Sequence, residues 1–474
     1  MITETRLTTD LLQAMQKRFL FVETHAHLPG LVTPELALQL TIGKNGWIDE
    51  KTGRPLKNFT HQNNPYRSFD QIFAAGDNGK GAIVINGKPT PDIRYNMQPG
   101  IFDDFDRVLA IVHGHRYREG AIMDGEDVKI VLRYHLAECK RQGIRHTEIQ
   151  LNISDLAEHI YKNESGSKEA KIDKFCAMLE TMVKEFAAPD ELSKTGVNLC
   201  FLHCFNKTTV SGKDRDLEER AIEAAELVIR LNKPFPFIIG LQTAGNEDMY
   251  DIHKLKKAYE MVRAVGLETG AHAGEGKGAL HVIDVLNTMP LSNLGHGFRA
   301  IESEHALRLI ADQGLVLHQC PIVNDKLGAI LRMNQEGKPD IHGSEKIKIG
   351  HVYNHPFFQM LRRYGIKVSL CSDNPGFFGS LEEEIMAMAG ITVDFPKQVK
   401  PLTLEELIIT NLHGVSSSAM PEDKKISYAR DTLDFIEAYS KAIQKPIRVD
   451  NHSLLAKAVK DKSRMEGQPR GGIE

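Results

Sequence analysis

Short apolar or β-branched runs recur along the chain, each followed by a turn and, in most cases, by a longer stretch of helical spacing. Eight runs qualify as strands: Leu20–Leu28, Thr147–Ile153, Asn198–Phe205, Phe237–Thr243, Leu267–Ala273, Leu294–Phe298, Leu315–Val323 and Val368–Asp373. Helical patterns such as Asp216–Leu231 and Asp251–Val265 separate most of them. Alternating strands and helices predict a parallel sheet covered by helices. Eight such units suit an α/β fold of the closed (β/α)8 TIM-barrel type. No internal repeat interrupts the series.

Three stretches exceed a minimal barrel. Residues 41–100 are rich in Gly, Asn and Pro, with Asn86-Gly87 and Lys88-Pro89-Thr90-Pro91, and read as an elaborated first βα connection containing a hairpin. The polar stretch Met333–Gly350 reads as an insertion after the seventh strand. Ser463–Glu474 holds three glycines and a proline with few apolar groups, and reads as a disordered tail behind one barrel domain over 1–462.

Composition narrows the class without naming a chemistry. With 474 residues, 41% hydrophobic and 26% charged, the chain can bury a large core. A formal net charge of -4 predicts neither a nucleic-acid partner nor a polyanion. The first twenty residues carry charges throughout and do not read as a secretory signal, and no apolar run reaches the ~20 residues that span a bilayer. Six scattered cysteines predict a reducing, cytoplasmic setting rather than a disulfide scaffold. Cys200 and Cys204, which flank His203 in an apolar run, read as strand core, because no second pair has matching metal-ligand spacing.

The chemistry-bearing residues cluster at strand ends. His25-Ala26-His27 closes the first strand, where alternate residues face one side and two imidazoles can chelate a cation such as zinc. His113-Gly114-His115 has the same spacing but lies among Phe102, Phe105, Val108, Leu109 and Val112, a helical pattern. On a helix, residues two apart diverge by about 200° and share a metal poorly. The fifth strand ends in Ala271-His272-Ala273-Gly274-Glu275, the sixth in Gly295-His296-Gly297 and the eighth in Ser372-Asp373-Asn374-Pro375-Gly376. Singly, each has an ordinary explanation: a helix-start charge for Glu275, a polar turn residue for His296, an Asx turn for Asp373. Jointly, they all fall at the strand ends that carry barrel active sites. A metal there lowers the pKa of a bound water to about 7, and a nearby carboxylate can shuttle protons.

These residues resemble the adenosine deaminase family. ETHAHLPG is similar to its first-strand metal motif, LQTAGNED to its fourth-strand segment, HAGEG to its fifth, NLGHGF to its sixth, QCPIVN to its seventh and CSDNPG to its eighth, while NLHGVSSSAMPEDKK resembles its C-terminal helix segment. The resemblance spans about Phe21 to Lys425 in order. It implies one zinc held by His25, His27, His272 and Asp373. It further implies that Glu275 protonates purine N1 as the nucleophile attacks C6, that His296 takes the proton of the attacking water, and that Gly245 contacts the purine through its backbone. A 6-oxopurine and ammonia would be the products of a small-molecule purine substrate. The cytidine-deaminase type of zinc site is excluded, since no P-C-x-x-C occurs.

Two positions depart from the family pattern. Asn374 stands where the family usually has an Asp that bonds purine N7, and its amide can still donate to that acceptor. Pro29 stands where nucleoside deaminases commonly have an Asp that reads the ribose 5′-hydroxyl, and proline offers that hydroxyl nothing. The pair points to a substrate altered at the 5′ position, phosphorylated, cyclic or thioether. Two alternatives stay open: a two-metal amidohydrolase acting on an amide, ester or other amino-heterocycle, and a family member that only binds ligand. Against the first, the fourth strand FIIGLQTAG contains no lysine to bridge two metals.

Overall fold

A strand forms wherever the eight sequence runs predict one. The structure is a computed structural model. It describes residues 5–41, 73–75, 83–85, 88–90, 93–95, 109, 122, 124–206, 216–245, 247, 251–329, 351–444, 446–449 and 452–467. Its strands are β1 (Phe21–His27), β2 (Phe73–Ala75), β3 (Ile83–Ile85), β4 (Lys88–Thr90), β5 (Ile93–Tyr95), β6 (Ile144–Leu151), β7 (Asn198–Asn206), β8 (Ile238–Ala244), β9 (Glu268–Ala273), β10 (Asn293–His296), β11 (Val316–Gln319) and β12 (Lys367–Leu370). Eight of them form one sheet in the order β1-β6-β7-β8-β9-β10-β11-β12, every pair parallel.

The sheet closes through a single backbone bridge between Ala26 and Asp373. Asp373 N–H donates to the His25 carbonyl at 2.9 Å, and His27 N–H donates to the Asp373 carbonyl at 2.9 Å. The result is a (β/α)8 barrel. The closure sets the Asp373 side chain beside the two histidines of β1, so the step that completes the fold also assembles part of the site.

The covering helices start and stop where side chains satisfy their end groups. Asp124 and Asp127 form a capping box ahead of Gly125–Gln142, and Gly143 ends that helix at φ 68°. Ser167 caps Lys168–Ala187, and Thr403 with Glu406 boxes Leu404–Ser417. Their apolar stripes pack on the sheet: Phe175, Leu179 and Phe186 of one helix and Leu404, Leu407 and Leu412 of another are buried in one continuous core.

Several boundaries differ from the sequence reading. The seventh strand stops at Gln319, because Pro321 opens the helix Pro321–Lys326 at its first turn. The sixth stops at His296, where Gly297 turns with φ 65° into the 3-10 helix Phe298–Glu302. The eighth stops at Leu370 along β11, and Asp373 belongs instead to the closing bridge with β1. The second begins at Ile144, and Ile153 already starts the helix Ile153–Ile160 behind the N-cap Asn152. Between β1 and β6 in sequence, β3 and β4 pair antiparallel around 86–87, and β2 pairs antiparallel with β5. The helix Ser453–Gly467 runs into the stretch read as a tail, of which 468–474 lie outside the described residues, as do His113–His115 and Met333–Gly350.

Candidate metal and active site

Four strand ends deliver the polar side chains to one rim of the barrel. β1 brings His25 and His27, β9 brings His272 with Glu275 in the following turn, β10 brings His296, and the segment after β12 brings Asp373. Their rings crowd together: His25 lies 4.7 Å from His272, 5.4 Å from His27 and 5.4 Å from His296, centroid to centroid. Asp373 Oδ1 sits 3.7 Å from His25 Nε2 and 3.2 Å from His27 Nε2.

Those distances fit a metal's requirements. Ligand atoms about 2.0–2.2 Å from a tetrahedral zinc stand roughly 3.3–3.5 Å apart. The donor atoms of His25, His27 and Asp373 lie within 4.8 Å of one another, and so do those of His25, His272 and His296, and those of Glu275, His296 and Asp373. The expected quartet His25, His27, His272 and Asp373 is therefore gathered as two overlapping triplets that share His25. Donor positions alone do not separate His272 from His296 as a ligand.

Burial supplies a second test of fit. His25 Nε2, His296 Nε2 and Asp373 Oδ1 are buried with no hydrogen-bond partner among the described residues. Buried polar atoms left this way cost free energy unless a cation or substrate meets them. The electrostatics agree. Burial works against a charged His27, yet the adjacent Asp373 carboxylate and Cys204 thiol lift it to about 10. Burial drives His25 well below its ordinary range, with His296 and His27 adding to the effect. The Asp373 carboxylate thus favours positive charge at His27 while burial and its neighbours disfavour it at His25, an arrangement that a divalent cation between them would satisfy.

Neighbouring residues orient the site. Gln150 Nε2 lies 3.2 Å from His25 Nδ1, and the amide oxygen is buried with no partner among the described residues. Rotating that amide by about 180° would let its oxygen accept from Nδ1–H and leave the Nε2 lone pair of His25 for a metal. Buried Glu23 accepts from His25 N–H at 3.1 Å and from both Ser372 N–H and Ser372 Oγ, at 3.0 and 2.6 Å. It thereby stitches β1 to the segment that carries Asp373. Glu247 accepts from the backbone of Glu275 at 3.1 Å and of Lys277 at 2.7 Å, which fixes the turn that presents the Glu275 carboxyl. Asn324 donates toward Glu275 and contacts His296. The sequence reading assigned none of these four a role. QCPIVN and LQTAGNED were recognisable segments, but a residue that acts by holding another shows no spacing rule.

Glu275 has the properties of a general acid. Burial raises its pKa, His296 pulls it down, and Asp373 and Glu247 push it up, leaving it at about 7. His296 Nε2 lies 3.5 Å from Glu275 Oε2. Both His296 and Asp373 have left-handed backbones, φ 59° and 58°, a conformation that His and Asp tolerate better than most residues. Such conformations cost about 1–3 kcal/mol and persist where the surroundings enforce them.

Two further expected residues follow strand ends of the barrel. Gly245 follows β8 at φ 101°, where a side chain would be strained. Asn374 is 3% exposed and its Oδ1 has no partner among the described residues. It packs so tightly on Gly30 that a β-carbon at residue 30 would overlap its amide. Pro29 lies beside it, at the start of the 3-10 helix Pro29–Leu31.

The comparisons with known proteins agree with this geometry. The family model described as Adenosine deaminase matches residues 104–337. An adenine deaminase of Rhizobium leguminosarum is 33% identical over 169 residues, 36% of this chain and 46% of that protein, so the match spans about half the relative's length. An adenine deaminase of Vibrio parahaemolyticus is 24% identical over 422 residues, covering 88% of this chain and 96% of that one. Among solved structures, adenine deaminase from Arthrobacter aurescens superposes with a TM-score of 0.58 at 17% identity, over 88% of this chain and 99% of that one. An amidohydrolase from B. ambifaria with bound Zn gives 0.62 at 16% identity, over 94% and 97%. The N6-mAMP deaminase of Arabidopsis gives 0.57 at 14% identity, over 89% and 99%. The family model runs through the strands that bear His272, Glu275 and His296, and the likeness to the Vibrio protein runs nearly the length of both chains, so this chain is similar to the adenosine deaminase family over most of its length.

Proposed function

We propose that this chain is a zinc-dependent hydrolytic deaminase that converts a 6-aminopurine to the 6-oxopurine and ammonia. The observation that supports the reading is the gathering of His25 with His27 and Asp373, and of His25 with His272 and His296, beside a largely buried carboxyl held at about 7, Glu275. His25, His27, His272 and Asp373 would hold the zinc. Zinc, when bound there, supplies a nucleophile at neutral pH by lowering the pKa of water.

The remaining work falls to side chains. C6 of an aminopurine is a poor electrophile until N1 carries a proton, and Glu275 is the acid placed to give it. Asn374 would donate its amide to N7, an acceptor at any pH. Gly245 would meet the ring with backbone alone. His296 borders the same space and acts on the nucleophile and the charge that develops at C6.

The substrate class narrows to purines with an exocyclic 6-amino group. Pro29 cannot read a ribose 5′-hydroxyl, so a free base or a 5′-altered nucleotide fits better than adenosine. Relatives are named for adenine and for N6-methyl-AMP, and both classes enter the test. Zinc-loaded protein is assayed for ammonia release from adenine, adenosine, a 5′-blocked adenosine, AMP, a cyclic nucleotide and an aminopterin. Turnover of adenine or a 5′-altered substrate well ahead of adenosine is expected, with one zinc per chain. Ammonia from no aminopurine, or two metals per chain, overturns the reading. The buried free cysteines suit the reducing cytoplasm in which we place the chain.

A further inference from the structure

One hydrogen-bonded chain behind the site has its direction fixed at its far end. Phe357 N–H donates to His355 Nδ1 at 3.1 Å. A backbone amide only donates, so His355 Nδ1 is an acceptor, and the neutral ring carries its proton on Nε2. Burial keeps that ring neutral, with its pKa near 3. His355 Nε2–H therefore donates to Asn324 Oδ1, 3.2 Å away. This orients the amide, which no other rotation satisfies: the Asn324 NH2 group faces Glu275 Oε1 at 3.4 Å and His296 Nδ1 at 3.3 Å. Asn324 is fully buried and His355 is 2% exposed, so water does not compete for these contacts.

From this network, and resting on the deaminase reading above, we infer that Asn324, aimed by His355, is a positioning residue that fixes His296 as the Nε2–H tautomer. Its amide donates to Nδ1, so the ring's proton faces the reacting atoms. His296 then gives a hydrogen bond and does not serve as the base. The site's own bookkeeping closes without it. Glu275 passes its proton to N1 as water oxygen bonds to C6. One water proton replaces it on the Glu275 carboxylate, and the other leaves with the amine as the C6–N bond breaks and ammonia departs.

The test reads the tautomer directly and the rate separately. Ring-nitrogen NMR of protein labelled with 15N-histidine, with the His296 signal assigned by its loss in His296→Asn, is expected to show an unprotonated Nδ1 and a protonated Nε2. A protonated Nδ1 in the wild-type protein overturns the inference whether or not any substrate is turned over, which separates its failure from that of the deaminase reading. Asn324→Asp keeps the shape and the acceptor for His355 but removes the donor. It is expected to move the His296 proton to Nδ1 and lower kcat about 100-fold, the low end of a proton-handling contribution, with KM within about twofold. Asn324→Ala is expected to lose no more than Asp does. An Asp variant that keeps wild-type kcat on a substrate the wild type deaminates also overturns it, since packing alone would tolerate the isosteric change.

Discussion

Glu275 shows how a single residue acquires a task from its surroundings. Its sequence context is a turn glutamate, which a helix dipole alone would explain. In the fold it is buried, faces Asp373 and Glu247, and is held at about 7 rather than near 4.5. Its backbone N–H is held by Glu247, which fixes the turn that presents the carboxyl. Glu275→Gln keeps the shape and removes the proton. The expected outcome is a fall in kcat of roughly 10²–10⁴-fold with zinc content unchanged at one per chain, measured by ammonia release and metal analysis on the same preparation. Loss of zinc together with rate would place Glu275 among the ligands instead.

At the scale of the element, β10 is short and built for close approach. Gly295 pairs with His272 on β9 and His318 on β11. A β-carbon at Gly295 would stand 2.8 Å from His25 Cε1 and 2.9 Å from His272 Cδ2. Gly295→Ala is therefore expected to push both imidazoles outward and weaken zinc binding by on the order of 10–100-fold, as loss of a metal-orienting contact does. A folded variant, judged by unchanged circular dichroism, that binds zinc with wild-type affinity would refute this.

The same strands show what was legible beforehand. All eight barrel strands could be read from apolar runs, because a strand buried on both faces writes itself as one. Their ends were read too far, since Val323 and Phe298 extend the apolar runs while Pro321 and Gly297 have already turned the chain. His25, His27, His272, His296, Glu275 and Asp373 were visible as strand-end polar residues, and the fold brings them to one rim. Gln150, Glu23, Glu247, Asn324 and His355 were not. Each acts through hydrogen bonds that join segments apart in sequence, and only the fold makes those segments neighbours.

Across the molecule, many of the histidines held neutral lie outside the site. His135, on the buried face of the helix Gly125–Gln142, lies 2.9 Å from Thr147 Oγ1, and burial lowers it to about 4. His203 and His413 are lowered to about 4 in the same way, His413 despite the Val368 carbonyl it meets. An unfolded chain takes up a proton at each such ring near 6.5, while the folded chain refuses it until about 4. Between those values the unfolded state binds more protons, so each ring makes stability fall as pH falls through 6.5 toward 4. Buried Glu384, raised well above its ordinary range, acts in the opposite sense and is the reason a single whole-protein curve cannot isolate the effect. A paired comparison can. His135→Gln keeps a polar partner for Thr147 and removes one titrating group worth on the order of 3 kcal/mol across the window. The variant's Tm should therefore decline less steeply than the wild type's from pH 6.5 to 4, with the two curves parallel above pH 7. Parallel curves over the whole range would mean that His135 gains its proton in the folded state as readily as in the unfolded one, and that the space between its helix and the sheet is not kept dry.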